Sequence, residues 1–123
     1  MNIVLIGLGM VATTHVTAIQ SSDQGLTLHG VLGRDPVHTA NFAAIKGTHA
    51  YASVADIARD GSVDFVILAT PPDTRHDIVE TLAAAGKPIL MEKPIERDLA
   101  AATRIVEMCE KASVPLGIVF QHR

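Results

Sequence analysis

Short apolar runs alternate with longer, alanine-rich segments along the chain. The runs are rich in Val, Ile and Leu and show no polar alternation, which is typical of strands buried on both faces. They predict strands over residues 2–7, 26–33, 49–51, 63–70, 88–92 and 115–120. The segments between them predict helices over residues 10–22, 36–45, 54–59 and 73–85. A last helix is predicted from Leu99, Ala102, Val106 and Cys109, whose spacings of three and four mark one buried face.

This alternation predicts a parallel sheet with helices on both faces. Because crossovers between parallel strands are right-handed, the expected fold is a doubly wound α/β sheet, a Rossmann fold with three layers in the order αβα. Ligands of such sheets bind outside the carboxyl ends of the strands. In this chain those ends carry Gly7, Gly33, Thr70 and Glu92.

The composition and charge disfavour several classes of protein and leave the predicted fold unchanged. The 123 residues are 48% hydrophobic with a net charge of −3, which predicts one folded domain over residues 1–123 and disfavours nucleic-acid binding. The single cysteine, Cys109, has no internal disulfide partner, and we expect it to pack in a core in a reducing compartment. The first residues, MNIVLIG, lack the features of a signal peptide or membrane span, so a cytoplasmic protein without membrane contact is expected.

The sequence GLGMVA follows the first predicted strand and opens the first helix, as a dinucleotide-binding fingerprint requires. Gly7 permits the tight turn, Gly9 lets a pyrophosphate approach the backbone, and Ala12 keeps helix and strand close. Phosphate would lie on the N–H groups of residues 9–11. A plain strand–helix turn and a methyltransferase loop for a single nucleoside are the alternatives. The predicted cofactor-binding residues of this loop are Gly7, Leu8, Gly9, Met10, Val11 and Ala12.

The segment ATPPDTRH ends the central strand, where a bound nicotinamide would pass. Pro71 and Pro72 fix the backbone and lack N–H groups, so they form a rigid wall. Asp73 or Thr74 is expected to cap the following helix. His76 lies in the first turns of that helix. A structural role in packing near the cap and a contact with the cofactor are equally expected for it.

The segment MEKPIE places Glu92, Lys93 and Pro94 at the end of another apolar strand. Two opposite charges are unusual at the end of a buried strand. Lys93 would hold a substrate hydroxyl or the nicotinamide ribose, or transfer a proton with a lowered pKa. A solvated pair in a strand–loop junction is the alternative.

The remaining histidines carry weaker signals. His15 lies on the first predicted helix, His29 inside a strand, and His38 and His49 near surface segments. Since none has a Cys or acidic partner at ligand spacing, the sequence predicts no metal site.

Taken together, GLGMVATTH, ATPPDTRH, MEKP and GIVFQHR resemble the glucose–fructose oxidoreductase/inositol dehydrogenase/MocA family, in order across essentially the whole chain. The resemblance implies an NAD(P)-dependent oxidoreductase, a dehydrogenase acting on CH–OH groups of a sugar, cyclitol or related polyol. It implies that Lys93 lies beside nicotinamide and substrate and assists proton transfer. It also assigns cofactor contacts to the glycine loop and to the wall at Thr70, Pro71 and Pro72, and we extend these to His76, Glu92 and Pro94.

Family members carry a second α/β domain that supplies a further catalytic histidine and most substrate contacts. Here the chain stops at Arg123, where the crossover to that domain is expected. The resemblance therefore implies an isolated cofactor domain that binds dinucleotide without turning over substrate alone, and whose oligomers form only with the second domain. An NADP-binding sensor or transcriptional regulator of the same family, such as a yeast repressor of galactose genes, is the alternative. The intact Glu92-Lys93-Pro94 favours the enzyme.

The stretch GVLGRDP bears on which dinucleotide binds. The family's ribose-binding acid aligns with Gly33, and a carboxylate there would repel a 2′-phosphate. Gly33 removes that repulsion, and Arg34 would pair with the phosphate or stack on the adenine. An ordinary exposed arginine is the alternative, and Asp35 is better suited to cap the helix before Pro36 than to bind ribose. The sequence thus predicts NADP in preference to NAD.

Overall fold

The computed structural model describes residues 1–92 and 99–119, which contain six strands and five α-helices. The strands are β1 (Asn2–Ile6), β2 (Thr27–Leu32), β3 (His49–Ala50), β4 (Phe65–Leu68), β5 (Ile89–Glu92) and β6 (Leu116–Val119). The helices are α1 (Ala12–Ser21), α2 (Pro36–Lys46), α3 (Val54–Arg59), α4 (Arg75–Ala84) and α5 (Leu99–Lys111), with a 3₁₀ turn at Pro72–Thr74. In this part of the chain no helix combines the length and apolar character needed to cross a membrane.

The strands form one sheet in the order β3-β2-β1-β4-β5-β6, and all neighbours are parallel. The chain winds outward from β1 in one direction, returns to β4 beside β1, and then winds outward in the other direction. Every carboxyl end therefore lies at the same edge of the sheet, and the order reverses between β1 and β4. This confirms the doubly wound Rossmann fold, and the reversal is where such sheets open a crevice for ligand.

Alternate residues of β1 face opposite sides of the sheet, as the two-residue period of a strand dictates. Ile3 and Leu5 pack with α1 and α2, whereas Val4 and Ile6 pack with α3, α4 and α5. All four side chains are buried. The helices thus cover both faces, which confirms the predicted three-layer αβα arrangement.

The predicted elements are present, with small differences at their ends. The strands are shorter than the apolar runs because flanking residues belong to turns, and α1 begins at Ala12 instead of residue 10. Pro36 occupies the first turn of α2, and Gly86 ends α4 with a φ of 75°, both as expected. Thr74 is the N-cap residue of α4, one of the two positions expected, but its hydroxyl makes no capping hydrogen bond and instead donates to the Pro71 carbonyl oxygen (2.9 Å).

The buried face of α5 also differs from its prediction. Ile105 and Cys109 are buried, as expected for the thiol, and that burial raises the pKa of Cys109. Leu99, predicted to be buried, is 84% exposed. At 3.6 residues per turn it lies roughly 120° around the helix from Ile105, so α5 cannot turn both toward the sheet.

Candidate functional site

The carboxyl edge of the sheet opens into a cavity of about 1100 Å³ beside the junction of β1 and β4. Its lining comes from the ends of β1, β2, β4 and β5 and from the loop after β3. Pockets for small molecules are usually about 300–1,000 Å³. The cavity is therefore large enough for an extended ligand that crosses the point where the strand order reverses.

The turn after β1 requires glycine at Gly7. Its φ is 104°, and its N–H donates to the Leu32 carbonyl oxygen (2.8 Å). A Cβ added there would lie 2.7 Å from the carbonyl carbon of Ala69, which is backbone and cannot move aside cheaply. The tight turn expected from the sequence is present, and it brings the glycine loop against the end of β4.

The space beside the Cα of Gly9 is free of neighbouring atoms of the described residues, in contrast to that beside Gly7. A Cβ added to Gly9 would meet no heavy atom within 4 Å, so packing of the described residues does not require glycine there. Val11 is the N-cap residue of α1 and has no side-chain oxygen to offer the first N–H groups of the helix. Ala12 is fully buried beneath the loop. An open glycine and a helix start without a side-chain cap fit a phosphate group of a ligand.

The turn after β2 brings Gly33 and Arg34 to the cavity, and Arg34 is exposed. Asp35, which also lines the cavity, is the N-cap residue of α2, and its carboxylate accepts from the N–H of Val37 (3.0 Å). The buried Thr39 hydroxyl accepts from the Gly33 N–H (3.0 Å) and donates to the Asp35 carbonyl oxygen (2.8 Å). The nearest acid is thus engaged with its own helix, as the sequence suggested.

The end of β4 contributes Thr70 and Pro71 to the lining. Thr70 Oγ1 is buried and has no hydrogen-bond partner among the described residues. Since buried hydroxyls are nearly always partnered, this atom keeps an unused capacity for a hydrogen bond beside the cavity. Pro72 begins the 3₁₀ turn that follows.

Arg75 forms hydrogen bonds with backbone carbonyl groups at the ends of both β4 and β5. It is 2% exposed, and its Nε and Nη2 both donate to the Thr70 carbonyl oxygen (2.9 and 2.7 Å). Its Nη1 donates to the carbonyl oxygen of Glu92 (2.5 Å). Arg75 therefore holds the end of β4 against the end of β5 at the wall of the cavity.

Glu92 is buried at the end of β5, and its Oε1 lies 2.6 Å from Nε2 of His15 on α1. The contact joins the helix of the glycine loop to the strand that precedes Lys93. Sequence reasoning missed both His15 and Arg75 as parts of this edge. A signal for His15 was available, because it lies three residues after the buried Ala12 and four residues before the buried Ile19, which places it beside them on α1.

The predicted site residues that line the cavity are Gly7, Leu8, Gly9, Val11, Gly33, Arg34, Thr70, Pro71 and Glu92. Met10 is fully exposed, and His76 is exposed with Nδ1 3.4 Å from Asp77 Oδ1. Met10, Ala12 and His76 are not among the described residues of the lining. Lys93 and Pro94 lie outside the described residues.

Of two other histidines, one lines the cavity and the other does not. His38 lines the cavity near Arg34, and His29 lies with its Nε2 3.4 Å from Asp60 Oδ2, away from the cavity. Within residues 1–92 and 99–119, no three His, Cys, Asp or Glu side chains are grouped so as to hold a metal ion.

Comparison with known sequences finds one family and several relatives. A family model described as oxidoreductase family, NAD-binding Rossmann fold (GFO_IDH_MocA), matches residues 1–120. The chain is 31% identical over 116 residues to an inositol 2-dehydrogenase of Leifsonia xyli, and 32% identical over 120 residues to the rhizopine catabolism protein MocA of Rhizobium meliloti. These matches cover 92% and 97% of this chain, and 34% and 37% of the two relatives.

Comparison with solved structures supports the same fold. The crystal structure of an NAD-binding protein from Listeria innocua matches with a TM-score of 0.85 and 27% identity. The match covers 95% of this chain and 34% of that one. The chain thus spans about a third of the length of the relatives it matches.

Proposed function

Because the chain belongs to this oxidoreductase family with an NAD-binding Rossmann fold, we propose that its cavity binds a nicotinamide dinucleotide and prefers NADP to NAD. The observation that carries the preference is the turn after β2. Gly33 and Arg34 line the cavity there, and the neighbouring carboxylate of Asp35 is engaged at the start of α2.

Each part of the dinucleotide has residues suited to it. The pyrophosphate would lie against the open face of Gly9 and the start of α1. The adenosine half would lie toward Arg34, and the nicotinamide half toward Thr70 and Glu92. The buried Thr70 Oγ1 would gain the hydrogen-bond partner that it lacks among the described residues.

The preference for the 2′-phosphate follows from charge. A carboxylate at position 33 would accept hydrogen bonds from the ribose hydroxyls and repel a phosphate. Gly33 offers neither effect, and the guanidinium of Arg34 would donate two parallel hydrogen bonds to phosphate oxygens. His38 lies on the same side of the cavity.

For the whole protein we propose a dehydrogenase that acts on a sugar, cyclitol or related polyol. The matched inositol 2-dehydrogenase supports this substrate class. A bound nicotinamide dinucleotide would supply hydride transfer to or from the substrate carbon. Lys93, which follows Glu92 in the chain, would hold the reacting hydroxyl and exchange its proton. A cytoplasmic location stays a prediction from the sequence.

The cofactor proposal is tested by titrating NADP⁺ and NAD⁺ separately into the wild type and Arg34→Ala by calorimetry. NADP⁺ should bind the wild type about tenfold more tightly than NAD⁺, since a charged hydrogen bond contributes about 1.5–3 kcal/mol. Arg34→Ala should lose that advantage with NAD⁺ binding unchanged. Arg104→Ala, an exposed arginine on α5, is the matched control. Tighter binding of NAD⁺ by the wild type, or unchanged NADP⁺ affinity in Arg34→Ala, would contradict the preference.

The role of Lys93 is tested in a form of the protein that oxidises a polyol. Lys93→Ala should lower kcat about a hundredfold or more, with dinucleotide binding retained. Lys111→Ala, exposed at the end of α5, is the control. Near-normal turnover in Lys93→Ala would refute the assignment, and a protein that binds NADP⁺ but oxidises no polyol would favour the sensor.

A further inference from the structure

The glycine at position 33 is not required by the backbone. The glycines with positive φ among the described residues are Gly7, Gly25, Gly47 and Gly86, and Gly33 is not one of them. Its φ is therefore one that a residue with a side chain can adopt. If glycine is needed there, the reason lies in the space around its Cα.

That space is occupied by two side chains. A Cβ added to Gly33 would lie 3.0 Å from Cδ1 and 3.2 Å from Cγ of Leu8. It would also lie 3.1 Å from Oγ1 of Thr39. These distances are shorter than ordinary van der Waals contact between such atoms, so at least one neighbour would have to move.

The two neighbours differ in how easily they move. Thr39 is 2% exposed and is fixed by hydrogen bonds to the Gly33 N–H and the Asp35 carbonyl oxygen. Leu8 is half-buried, lies between two glycines of the loop after β1, and lines the cavity. A side chain at position 33 would therefore shift Leu8 by a few tenths of an ångström, and the free volume beside Leu8 is the cavity itself.

We propose that Leu8 and Gly33 form a coupled pair at the adenosine end of the site: the Leu8 side chain lies over the Cα of Gly33, so a carboxylate-bearing residue at position 33 would be accommodated only with a shift of Leu8 toward the bound dinucleotide. This inference rests on the proposed dinucleotide site and adds a second residue to its selectivity. The loop that receives the pyrophosphate would then also keep the adenosine end open to a 2′-phosphate.

Gly33→Asp alone should therefore be a poor route to a protein that prefers NAD. The new carboxylate would repel the 2′-phosphate of NADP, but its Cβ would push Leu8 toward the cavity and so toward the bound dinucleotide. Removing Leu8 at the same time would let the carboxylate reach the ribose hydroxyls. The two positions should therefore behave as a coupled pair.

The experiment compares the wild type, L8A, G33A, G33D, L8A/G33A and L8A/G33D. Calorimetric titrations with NADP⁺ and NAD⁺ give the affinities, and thermal unfolding monitored by circular dichroism shows that each variant is folded. G33A adds only the Cβ, so it reports the steric contact if G33D fails to fold. We expect G33A to weaken NADP⁺ binding about threefold or more in the Leu8 protein and to have little effect in the L8A background. We expect L8A/G33D to bind NAD⁺ about threefold or more tightly than G33D.

Equal effects of the position-33 substitutions in the Leu8 and L8A backgrounds would overturn the inference. A wild type that prefers NAD⁺ would overturn only the proposed preference, because the same comparison with NAD⁺ still measures the coupling between positions 8 and 33. A folded wild type that binds neither dinucleotide would overturn both.

Discussion

At the scale of single residues, Gly7, Gly9 and Gly33 border the cavity for three different physical reasons. Gly7 combines a positive φ with contact to the backbone of Ala69. Gly9 meets nothing among the described residues, so its lack of a side chain serves a ligand. Gly33 is crowded by the side chain of Leu8 and by the hydroxyl of Thr39. The glycines around one cavity thus meet demands from folding at some positions and from binding at others.

This difference predicts opposite results for two similar substitutions. Gly7→Ala should lower the free energy of unfolding by about 1–3 kcal/mol, because it strains the backbone and overlaps Ala69. Gly9→Ala should change the free energy of unfolding by less than about 0.5 kcal/mol. It should nevertheless weaken dinucleotide binding, since its Cβ would occupy the space for the pyrophosphate.

Urea unfolding and calorimetric titration of both variants measure these two effects. Gly61→Ala is the control, because a Cβ added at Gly61 also meets no heavy atom within 4 Å and lies far from the cavity in the loop before β4. A stable Gly7→Ala variant, or a Gly9→Ala variant that binds NADP⁺ like the wild type, would contradict the assignment.

At the scale of elements, side chains hold the carboxyl edge together beyond the last strand pairs. The ladder between β4 and β5 extends to Leu68 and Met91. Past that point, Arg75 donates to the carbonyl oxygens of Thr70 and Glu92. The contact between His15 and Glu92 adds α1 to the same edge. The wall of the cavity is therefore braced by α4 and α1 as well as by the sheet.

Arg75→Met should lower the free energy of unfolding by about 2–4 kcal/mol. The substitution keeps an unbranched side chain but leaves the buried Glu92 carbonyl oxygen and the partly buried Thr70 carbonyl oxygen without this donor. Loss of a donor to a buried acceptor costs about 1–3 kcal/mol. Urea unfolding measures the change, with Arg104→Met on the exposed face of α5 as the control. A free energy of unfolding within about 0.5 kcal/mol of the wild type would show that Arg75 does not brace the edge.

At the scale of the whole molecule, a second polar cluster lies at the opposite edge of the sheet from the cavity. The Tyr51 hydroxyl donates to the Asp60 carboxylate (2.6 Å), and His29 lies 3.4 Å from the same oxygen. The buried Lys87 donates to the carbonyl oxygens of Asp60 (2.7 Å) and Val63 (3.2 Å). The cluster joins β2, β3 and the turns before β4 and β5, so the fold is tied at both edges.

This cluster predicts a dependence of stability on pH. The pKa of Asp60 is lowered to about 2, first by the hydrogen bond from Tyr51, then by that from the Ser62 N–H, and then by the nearby His29. The pKa of Tyr51 is raised by burial and by its contact with Asp60. An aspartate in an unfolded chain has a pKa of about 3.9. The stabilisation by Asp60 is therefore fully present above about pH 4 and is lost as the pH falls through 2.

In urea unfolding at a series of pH values, Asp60→Asn should be less stable than the wild type at pH 6. Its free energy of unfolding should also fall less steeply than that of the wild type between about pH 4 and pH 2. Glu107→Gln, at an exposed position on α5, is the control. Parallel pH profiles for the wild type and Asp60→Asn would contradict the role of this carboxylate.

Much of this architecture was predictable from the sequence. Apolar runs indicate the buried strands, and the right-handedness of crossovers between parallel strands leaves few possible topologies. The strand ends at Gly7, Gly33, Thr70 and Glu92 then identify the edge where the cavity lies. The exposed position of Leu99 was not predictable, since spacings of three and four allow more than one face on a short helix.

The bracing residues were not predictable for another reason. Arg75 and His15 act through contacts with residues 17 and 77 positions away in the chain, which periodicity does not report. The crowding of Gly33 by Leu8 likewise arises only where the ends of β1 and β2 meet. The local pattern of apolar and polar residues predicts the helices and strands and their order. Contacts between the ends of different strands can be identified only in the folded structure.

The most direct test of the central claim, that this cavity holds the dinucleotide, is a titration of the ¹⁵N-labelled protein with NADP⁺ followed by two-dimensional ¹H–¹⁵N NMR. The amide signals of Gly7, Gly9 and Gly33 should move most, because they border the cavity. Those of Gly25 and Gly61, in turns at the opposite edge, should move least. Movement concentrated at Gly25 and Gly61, or no movement at saturating NADP⁺, would contradict the claim.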